Sequence, residues 1–238
     1  ELMRQVPAVL IPWSPDRQFV CAGDGGHGTH AWARFAHRHR RHLSLVRPFY
    51  PDANLYDPPP AVVGKRNGRP RKKGDKRPTP EAVGAATSEP TAVNVSWYGG
   101  SHRDVETVDG TGPWFKSGKG LVPVLWVFVR DRTGTHRDSD LFSTDPALTA
   151  QQVIETSTGR WSIETTFQEL RADLGLETTR GWKERTVLRA APCLFGLDSV
   201  VALLYAELPA ETDHSGAVSY RGKTEVAFSD AITAVRRQ

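Results

Sequence analysis

Apolar and polar positions in the first fifty residues predict a strand, a tight turn, a helix and a second strand. A short apolar run at residues 18–23 ends at Asp24, and three glycines in the next four positions predict the turn. From Thr29 the apolar and basic side chains repeat at intervals of three and four, which is the period of an amphipathic helix. A second apolar run, residues 43–46, predicts the second strand.

The middle of the chain changes from a segment without periodicity to a series of β-like runs. Residues 51–92 are rich in Pro, Gly, Lys and Arg and predict a mobile basic loop. Glycine turns then separate apolar runs that are typical of strands. The predicted strands cover residues 93–98, 105–108, 121–129 and 141–144.

Helical patterns dominate the last third of the chain. Thr149 predicts a helix N-terminus, because its hydroxyl can accept a backbone N–H while Gln152 reaches back in a capping box. A second helix is predicted over residues 159–174. A third, long and apolar, is predicted over residues 184–208 with an interruption at Pro192.

Composition narrows the class of protein. The chain has 238 residues, of which 38% are hydrophobic and 24% charged. No apolar run approaches the roughly 20 residues of a membrane span, so we expect no membrane role. Two cysteines, Cys21 and Cys193, exclude a disulfide scaffold and favour a reducing cytoplasm. The first residue is Glu1 and no leader pattern follows, so we expect a chain that begins inside a longer protein.

Positive charge is concentrated in two short segments. Between Lys65 and Arg77 eight basic side chains face one acidic residue, and residues 34–41 hold four arginines and no acid. The formal net charge is only +4, so the rest of the chain is acidic. Concentrated basic segments on an otherwise acidic protein favour a polyanionic partner such as DNA.

The helix predicted over residues 159–174 sorts its side chains onto two stripes. At about 100° per residue the polar stripe lies roughly a quarter-turn from the apolar one, so Glu164 is expected at the rim of the core. Two arginines beside this carboxylate are able to hold phosphates. The apolar stripe is Ile163, Phe167, Leu170 and Leu174, and the polar stripe is Arg160, Glu164, Gln168 and Arg171.

The polar stripe resembles the signature Y-x2-R-x3-E-x6-K of DDE-type insertion-sequence transposases. Arg160 and Glu164 match the signature, Arg171 replaces its Lys, and Ser157 stands at the position of its Tyr. In these enzymes the Glu of this signature is catalytic.

Residues 19–28 are similar to the strand of the same family that ends in D-x-x-Y-G and supplies the second catalytic Asp. Asp24 and Gly28 match, and His27 replaces the Tyr. Looser similarity extends from residue 1 to about Leu208. It includes Trp97-Tyr-Gly-Gly, the Thr144-Asp-Pro corner and Leu174-Gly-Leu-Glu177.

The resemblance implies a ribonuclease-H-like α/β fold, a mixed sheet flanked by helices with a β-rich insertion. The periodicity by itself predicts only a mixture of helices and strands. The implied domain organisation is a first part of the catalytic domain at 1–50, a basic loop and β-rich insertion at 51–120, the remainder of the catalytic domain at 121–208 and a polar tail at 209–238.

The resemblance also implies a DNA transposase that cleaves transposon ends and transfers the strand to target DNA. Asp24 and Glu164 would be catalytic ligands of Mg²⁺ or Mn²⁺, and Arg160 and Arg171 would hold DNA phosphates. The first Asp of the triad would precede residue 1, so we expect the chain alone to be inactive. Double-stranded DNA, a homodimer in the paired-end complex and the nucleoid of a bacterial cytoplasm are the implied partners and location.

The basic segment has two open interpretations. Its Gly68-Arg69-Pro70 core resembles an AT-hook that lies in the minor groove, and a loop that binds phosphates without sequence preference fits equally well. The candidate DNA-binding residues are Lys65, Arg66, Arg69, Arg71, Lys72 and Lys73.

Other residue patterns have plain structural alternatives. His27 and His30 have a spacing that suits zinc, but a DNA-facing helix explains the histidines better. Trp161 and Trp182 could stack on a flipped base, although core packing is expected for Trp161. For the whole chain, the alternatives are a decayed transposase fragment that binds DNA without cutting it, and a glycosidase with paired carboxylates.

Overall fold

The computed structural model describes residues 2–51, 53–61, 68, 70–177, 183–209 and 226–237. The chain divides into two units, Glu1–Trp161 and Ser162–Gln238. The boundary falls inside the predicted segment 121–208, and the four-part division made from the sequence stays a prediction.

The described residues of the first unit form both helices and strands. Its helices are α1 (Leu2–Trp13), α2 (His30–Arg38), α3 (Pro80–Ala86) and α4 (Ala150–Gly159). Its strands are β1 (Phe19–Ala22), β2 (Leu43–Pro48), β3 (Thr91–Ser96), β4 (His102–Lys116), β5 (Gly120–Asp131) and β6 (Ser139–Ser143). The second unit is helical, with α5 (Ser162–Asp173), α6 (Glu184–Ala206) and α7 (Phe228–Arg236).

The six strands form one mixed sheet in the order β1-β2-β6-β5-β4-β3. Strands β1 and β2 are parallel, and every other neighbouring pair is antiparallel. In one row across the sheet Ala22 pairs with Val46, Val46 with Ser143, and Ser143 with Leu125. A mixed sheet flanked by helices confirms the predicted fold class and is compatible with a ribonuclease-H-like fold.

Strand β5 is apolar at nearly every position because both of its faces are buried. Val122, Val124 and Trp126 pack on the face that α2 and α3 cover, in a cluster with Ala33 and Phe142. Leu125, Val127 and Val129 pack on the opposite face with Val153 and Ile154 of α4. A strand that is buried on both faces has no position left for a solvent-exposed polar residue.

The segment predicted as a mobile basic loop, residues 51–92, contains helix α3 and the start of β3, which its composition did not predict. Within the described part of this segment, α3 begins at Pro80 behind an N-cap at Thr79. Leu55 bridges to Trp114, and Arg77 donates to Asp57 at 2.7 Å. Contacts with the sheet therefore order residues that carry no periodic pattern of their own.

Helix α4 begins as its sequence predicts. The backbone N–H of Gln152 donates to the Thr149 hydroxyl at 3.2 Å, and the Thr149 N–H donates to the Gln152 side chain at 2.9 Å. Further along α4, Glu155 accepts from Ser96 N at 3.1 Å and Thr158 donates to Ser96 O at 3.0 Å. These bonds fix α4 against the end of β3.

The helix predicted over residues 159–174 is divided. Helix α4 ends at Gly159, a turn follows at residues 160–161, and α5 begins at Ser162. The predicted apolar stripe is uneven, since Leu170 is fully buried and Ile163 is 51% exposed. The predicted polar stripe loses its first residue, because Arg160 is not in the same helix as Glu164.

One further prediction at the C-terminal end is wrong, and one helix there was not predicted. Pro192 does not interrupt α6, because a proline removes one hydrogen bond while the turns on both sides stay intact. The polar tail contains α7, in which the buried Asp230 accepts from Ala227 N at 2.9 Å. A capping carboxylate and the buried Ala231 and Ala234 thus specify a helix that the overall polarity of the tail conceals.

The prediction that no apolar run approaches the length of a membrane span is wrong, because helix α6 has that length and composition. Among the described residues it is the one helix long and apolar enough to cross a membrane, with 23 residues and a mean hydropathy of 1.8 in its best window. Length and composition do not separate a membrane span from a helix that packs in a protein core.

Candidate active site

Asp24 lies immediately beyond the carboxyl end of β1. Its backbone is extended, with φ −76° and ψ 176°, and a short 3₁₀ turn, Gly25–His27, follows it. Gly28 closes the turn close to β2, where a Cβ would lie 2.8 Å from Pro48 O. The Asp24 side chain is exposed at the edge where two parallel strands end, which is the usual place for a site in such sheets.

Arg47 on β2 is a residue of this site that the sequence analysis missed. Its side chain is fully buried, and its guanidinium occupies the space beside Gly23, where an added Cβ would lie 1.4 Å from one terminal nitrogen. Burial lowers the pKa of Arg47, while the nearby Cys21 thiol and Asp24 carboxylate offset part of this effect. A buried cation thus lies beside Asp24 and attracts its carboxylate.

Arg160 belongs to the same electrostatic neighbourhood. It follows the last residue of α4, and its charge contributes to lowering the pKa of Arg47. The structure therefore brings together Asp24, Arg47 and Arg160, all within the first unit. Two cations beside one carboxylate form an environment that attracts a phosphate group.

Glu164 lies on the first turn of α5 in the second unit. Its side chain is half-buried, and its Oε2 atom is shielded from solvent. A carboxylate at this position benefits from the partial positive charge of a helix N-terminus.

Arg171, at the other end of α5, is engaged by an acidic residue. Its Nε donates to Glu177 Oε2 at 2.8 Å, and its Nη2 donates to Oε1 at 3.2 Å. Glu177 has a positive φ of 67°, an uncommon backbone conformation for a residue with a side chain. A phosphate at Arg171 would have to share or replace this two-point contact.

The predicted DNA-binding residues of the basic segment are partly described. Lys65, Arg66 and Arg69 lie outside the described residues. Of the others, Arg71 lies 3.7 Å from Asp75, and Lys72 is exposed. Lys73 places its ammonium nitrogen 3.5 Å from the centre of the Tyr56 ring and 4.5 Å from that of Phe115.

Trp161 corrects one expectation, because it is 47% exposed rather than packed in the core. It contacts Tyr98 edge to face at 6.0 Å, and Tyr98 stacks on His136 at 5.8 Å. Trp182 lies outside the described residues.

A buried carboxylate holds the turn that carries His136. Burial would raise the pKa of Asp131, but hydrogen bonds from the Thr133 backbone and hydroxyl, from His136 N and from the Thr135 hydroxyl lower it well below its usual range. Arg103 donates to the same carboxylate at 2.7 Å. These hydrogen bonds fix the turn and so hold the His136 ring in the position where it stacks on Tyr98.

The histidines of α2 do not gather around one point. His30 is buried, and its Nε2 lies 3.1 Å from Trp114 O. The side chain of His27 is outside the described part of the structure. Within the described residues, no group of three His, Cys, Asp or Glu side chains is placed to hold a metal ion.

The comparison with protein families decides the identity of the domain. Residues 1–191 match the model of the transposase DDE domain. The chain belongs to this family. No curated protein matches the chain closely enough to add a relative.

The match of the transposase domain covers Asp24, Arg160, Glu164 and Arg171, and it extends into α6. Transposases act on DNA, and DDE transposases generally use divalent metal ions. The carboxylate oxygens of Asp24 and Glu164 are donors of the kind that Mg²⁺ and Mn²⁺ prefer, so the residues of this transposase domain fit such an ion in type.

Proposed function

We propose that this chain is the catalytic part of a DNA transposase that cuts the phosphodiester backbone at transposon ends and joins the freed strand to target DNA. The observation that carries the proposal is the grouping of Asp24 with Arg47 and Arg160 at the end of β1, in a chain that matches the transposase DDE domain.

Each residue has a distinct task in this proposal. Asp24 and Glu164 hold Mg²⁺ or Mn²⁺, together with a further Asp that the family resemblance places before residue 1. When bound, the ions supply activation of water and stabilisation of the leaving oxygen.

The arginines act on the substrate and on the carboxylate. Arg160, at the end of α4, binds a backbone phosphate of the DNA. Arg171 binds a second phosphate after exchanging its contact with Glu177. Arg47 is a positioning residue, because its buried charge attracts the Asp24 carboxylate at the end of β1. The partner is double-stranded DNA, and we propose a homodimer in the complex that pairs two ends.

The test is DNA cleavage and strand transfer by a protein that contains this chain and the coding sequence before it. Asp24→Asn and Glu164→Gln should each reduce both reactions to background with Mg²⁺, because each removes a negatively charged oxygen ligand. Asp16→Asn is the matched control, since Asp16 is an exposed acid ahead of β1, and it should retain activity. Normal strand transfer by either active-site variant would exclude the assignment.

A decayed transposase fragment is the second candidate, because Ser157 and His27 replace two tyrosines of the family signature. This candidate predicts that the unmodified protein binds DNA and leaves every strand intact. Cleavage by the unmodified protein with Mg²⁺, and its loss on addition of EDTA, would reject it.

A further inference from the structure

Four basic side chains from three elements line one cleft in the first unit. Arg4 comes from α1, Arg34 and Arg38 from α2, and Lys119 from the turn between β4 and β5. The cleft has a volume of about 280 Å³ and no acidic lining residue. Phe35 lies at its base, with the Arg4 guanidinium 5.7 Å from the centre of the ring.

A second cavity continues the positive surface around the start of α2. This cavity has a volume of about 610 Å³, and Lys73 and Lys116 line it together with aromatic rings. His30 lies in its wall, and the charges of both Lys116 and Arg34 add to the effect of burial in lowering the pKa of His30. His30 of this cavity and Ala31 of the first cleft are consecutive in α2, and Lys116 and Lys119 lie at the two ends of the β4–β5 turn, so the two cavities are neighbours. We call the six side chains the α2 basic belt, and they are Arg4, Arg34, Arg38, Lys73, Lys116 and Lys119.

Within the part of the chain that the structure describes, the belt differs from Arg77, Arg130 and Arg132 in lacking carboxylate partners. Among the described residues, none of its six members forms an ion pair. By contrast, Arg77 pairs with Asp57, Arg130 with Asp138, and Arg132 with Glu106. Clustered cations without internal partners repel one another, and a polyanion relieves that repulsion.

The belt leads away from Asp24. Helix α2 connects the parallel strands β1 and β2, so it runs opposite to them, from their carboxyl ends towards their amino ends. Its nine residues span roughly 13 Å at about 1.5 Å per residue. Arg38 therefore lies towards the opposite edge of the sheet from Asp24.

We propose that the α2 basic belt binds the sugar-phosphate backbone of duplex DNA at a distance from the bond that is cut. Duplex DNA presents one charge per about 1.7 Å along its axis, so a belt of this length meets several phosphates at once. The proposal rests on the proposed function in that DNA is the partner. It adds a surface outside the catalytic residues and names the ligand group.

The test compares two double variants in a background that cannot cut. In Asp24→Asn protein, Arg34→Gln/Arg38→Gln removes two charges of the belt. The control Arg130→Gln/Arg132→Gln removes two charges that are already paired on β5 and in the turn after it. Fluorescence anisotropy with a 30-bp duplex, at salt concentrations from about 50 to 200 mM, gives the affinity and its salt dependence.

The belt variant should bind about tenfold more weakly at 100 mM salt, and the slope of log K against log salt should fall by about 2, because about 0.9 is lost for each phosphate contact. The control should change affinity by less than about threefold. Equal losses in both variants, or no loss in either, would overturn the proposal.

Two further measurements distinguish a loss of DNA binding by the belt from a folding defect and from a loss of catalysis. Thermal unfolding should give the same Tm for both variants. If Arg34→Gln lowers Tm by disturbing packing, Arg38→Gln/Lys119→Gln replaces it, because both of these side chains are exposed. That variant should weaken duplex binding to a similar extent. Protein without the Asp24→Asn change reports cleavage independently. Belt-dependent binding without cleavage would therefore count against the proposed function and leave the belt intact.

Discussion

Arg47 fills the space in which a side chain at position 23 would begin. Gly23→Ala should destabilise the first unit by about 1–3 kcal/mol, because the Cβ would meet the guanidinium at 1.4 Å in a buried place with little room to adjust. Gly25→Ala is the control, since nothing lies within 4 Å of its added Cβ. Urea unfolding of the two variants measures the difference, and equal stabilities would contradict the packing described for Arg47.

A double substitution distinguishes steric conflict from a backbone effect. In an Arg47→Ala background, Gly23→Ala should cost much less, because the atoms that the Cβ meets have been removed. An unchanged cost in that background would assign the effect of Gly23→Ala to the chain conformation alone.

Asp140 makes stability depend on pH. Burial, with a smaller contribution from the charge of Glu81, raises the pKa of Asp140 to about 6, above its ordinary value near 4. The folded state therefore binds the proton more tightly than the unfolded state. The stabilising effect of protonation is fully present below about pH 4 and is lost as the pH rises through about 6.

Asp140→Asn should accordingly raise Tm by a few degrees at pH 8 and by less at pH 4. The amide removes the charge and keeps an oxygen that can accept from the Glu81 backbone N–H. Asp109→Asn, an exposed carboxylate on β4, should shift Tm little at either pH. A gain that is the same at both pH values would show that Asp140 ionises normally.

For individual residues, the sequence predicted part of the candidate active site. Asp24 could be predicted because an apolar run, an acidic residue and a glycine turn are contiguous in the chain. Arg47 could not, because its role depends on the pairing of β1 with β2 and on the open space beside Gly23. An arginine in a short apolar run before Pro48 was the one local signal, and it became meaningful only with the register.

Helix α4 offers the clearest test of an element specified by its own sequence. Thr149→Ala should lower the free energy of unfolding by about 1 kcal/mol, because it removes the hydroxyl that accepts from Gln152 N. Thr149→Ser retains that hydroxyl and should keep most of the stability. Chemical denaturation of the three proteins checks the order, and equal losses from the Ala and Ser variants would rule out the cap as the cause.

Strand β4 shows why some elements could not be predicted. It runs for 15 residues, whereas the pattern predicted residues 105–108, because Gly110, Gly112 and Pro113 resemble turn residues. A Cβ at Gly110 would lie 2.7 Å from the Trp126 ring, and one at Gly112 would lie 3.2 Å from Arg77. These glycines accommodate side chains from elsewhere in the fold, which no local pattern reveals.

The break at residues 160–161 has the same origin. A helical repeat fits residues 159–174, but Arg160 lies in the turn between two helices, near Arg47. The helical repeat predicted that Arg160, Glu164 and Arg171 lie on one face of one helix. Tertiary packing instead places Arg160 in a turn before that helix begins. Arg160 therefore lies beside the end of β1, while Glu164 and Arg171 belong to α5.

For the molecule as a whole, the family match crosses the boundary between the two units. It runs from residue 1 to residue 191, whereas the units meet between Trp161 and Ser162. The family match therefore includes residues of both units. In the second unit Leu188 and Leu203 of α6 are 64% and 67% exposed, so this helix presents an apolar surface.

The position of β1 at the end of the sheet has a practical consequence. Among the described residues this strand has a neighbour on one side only, and its Val20 side chain is 49% exposed. Backbone amides and carbonyls along such an edge can template pairing with strands from other molecules. When this polypeptide is purified at high concentration, aggregation that starts at residues 19–22 is the hazard to control, and a lysine in place of Val20 is the first remedy to try.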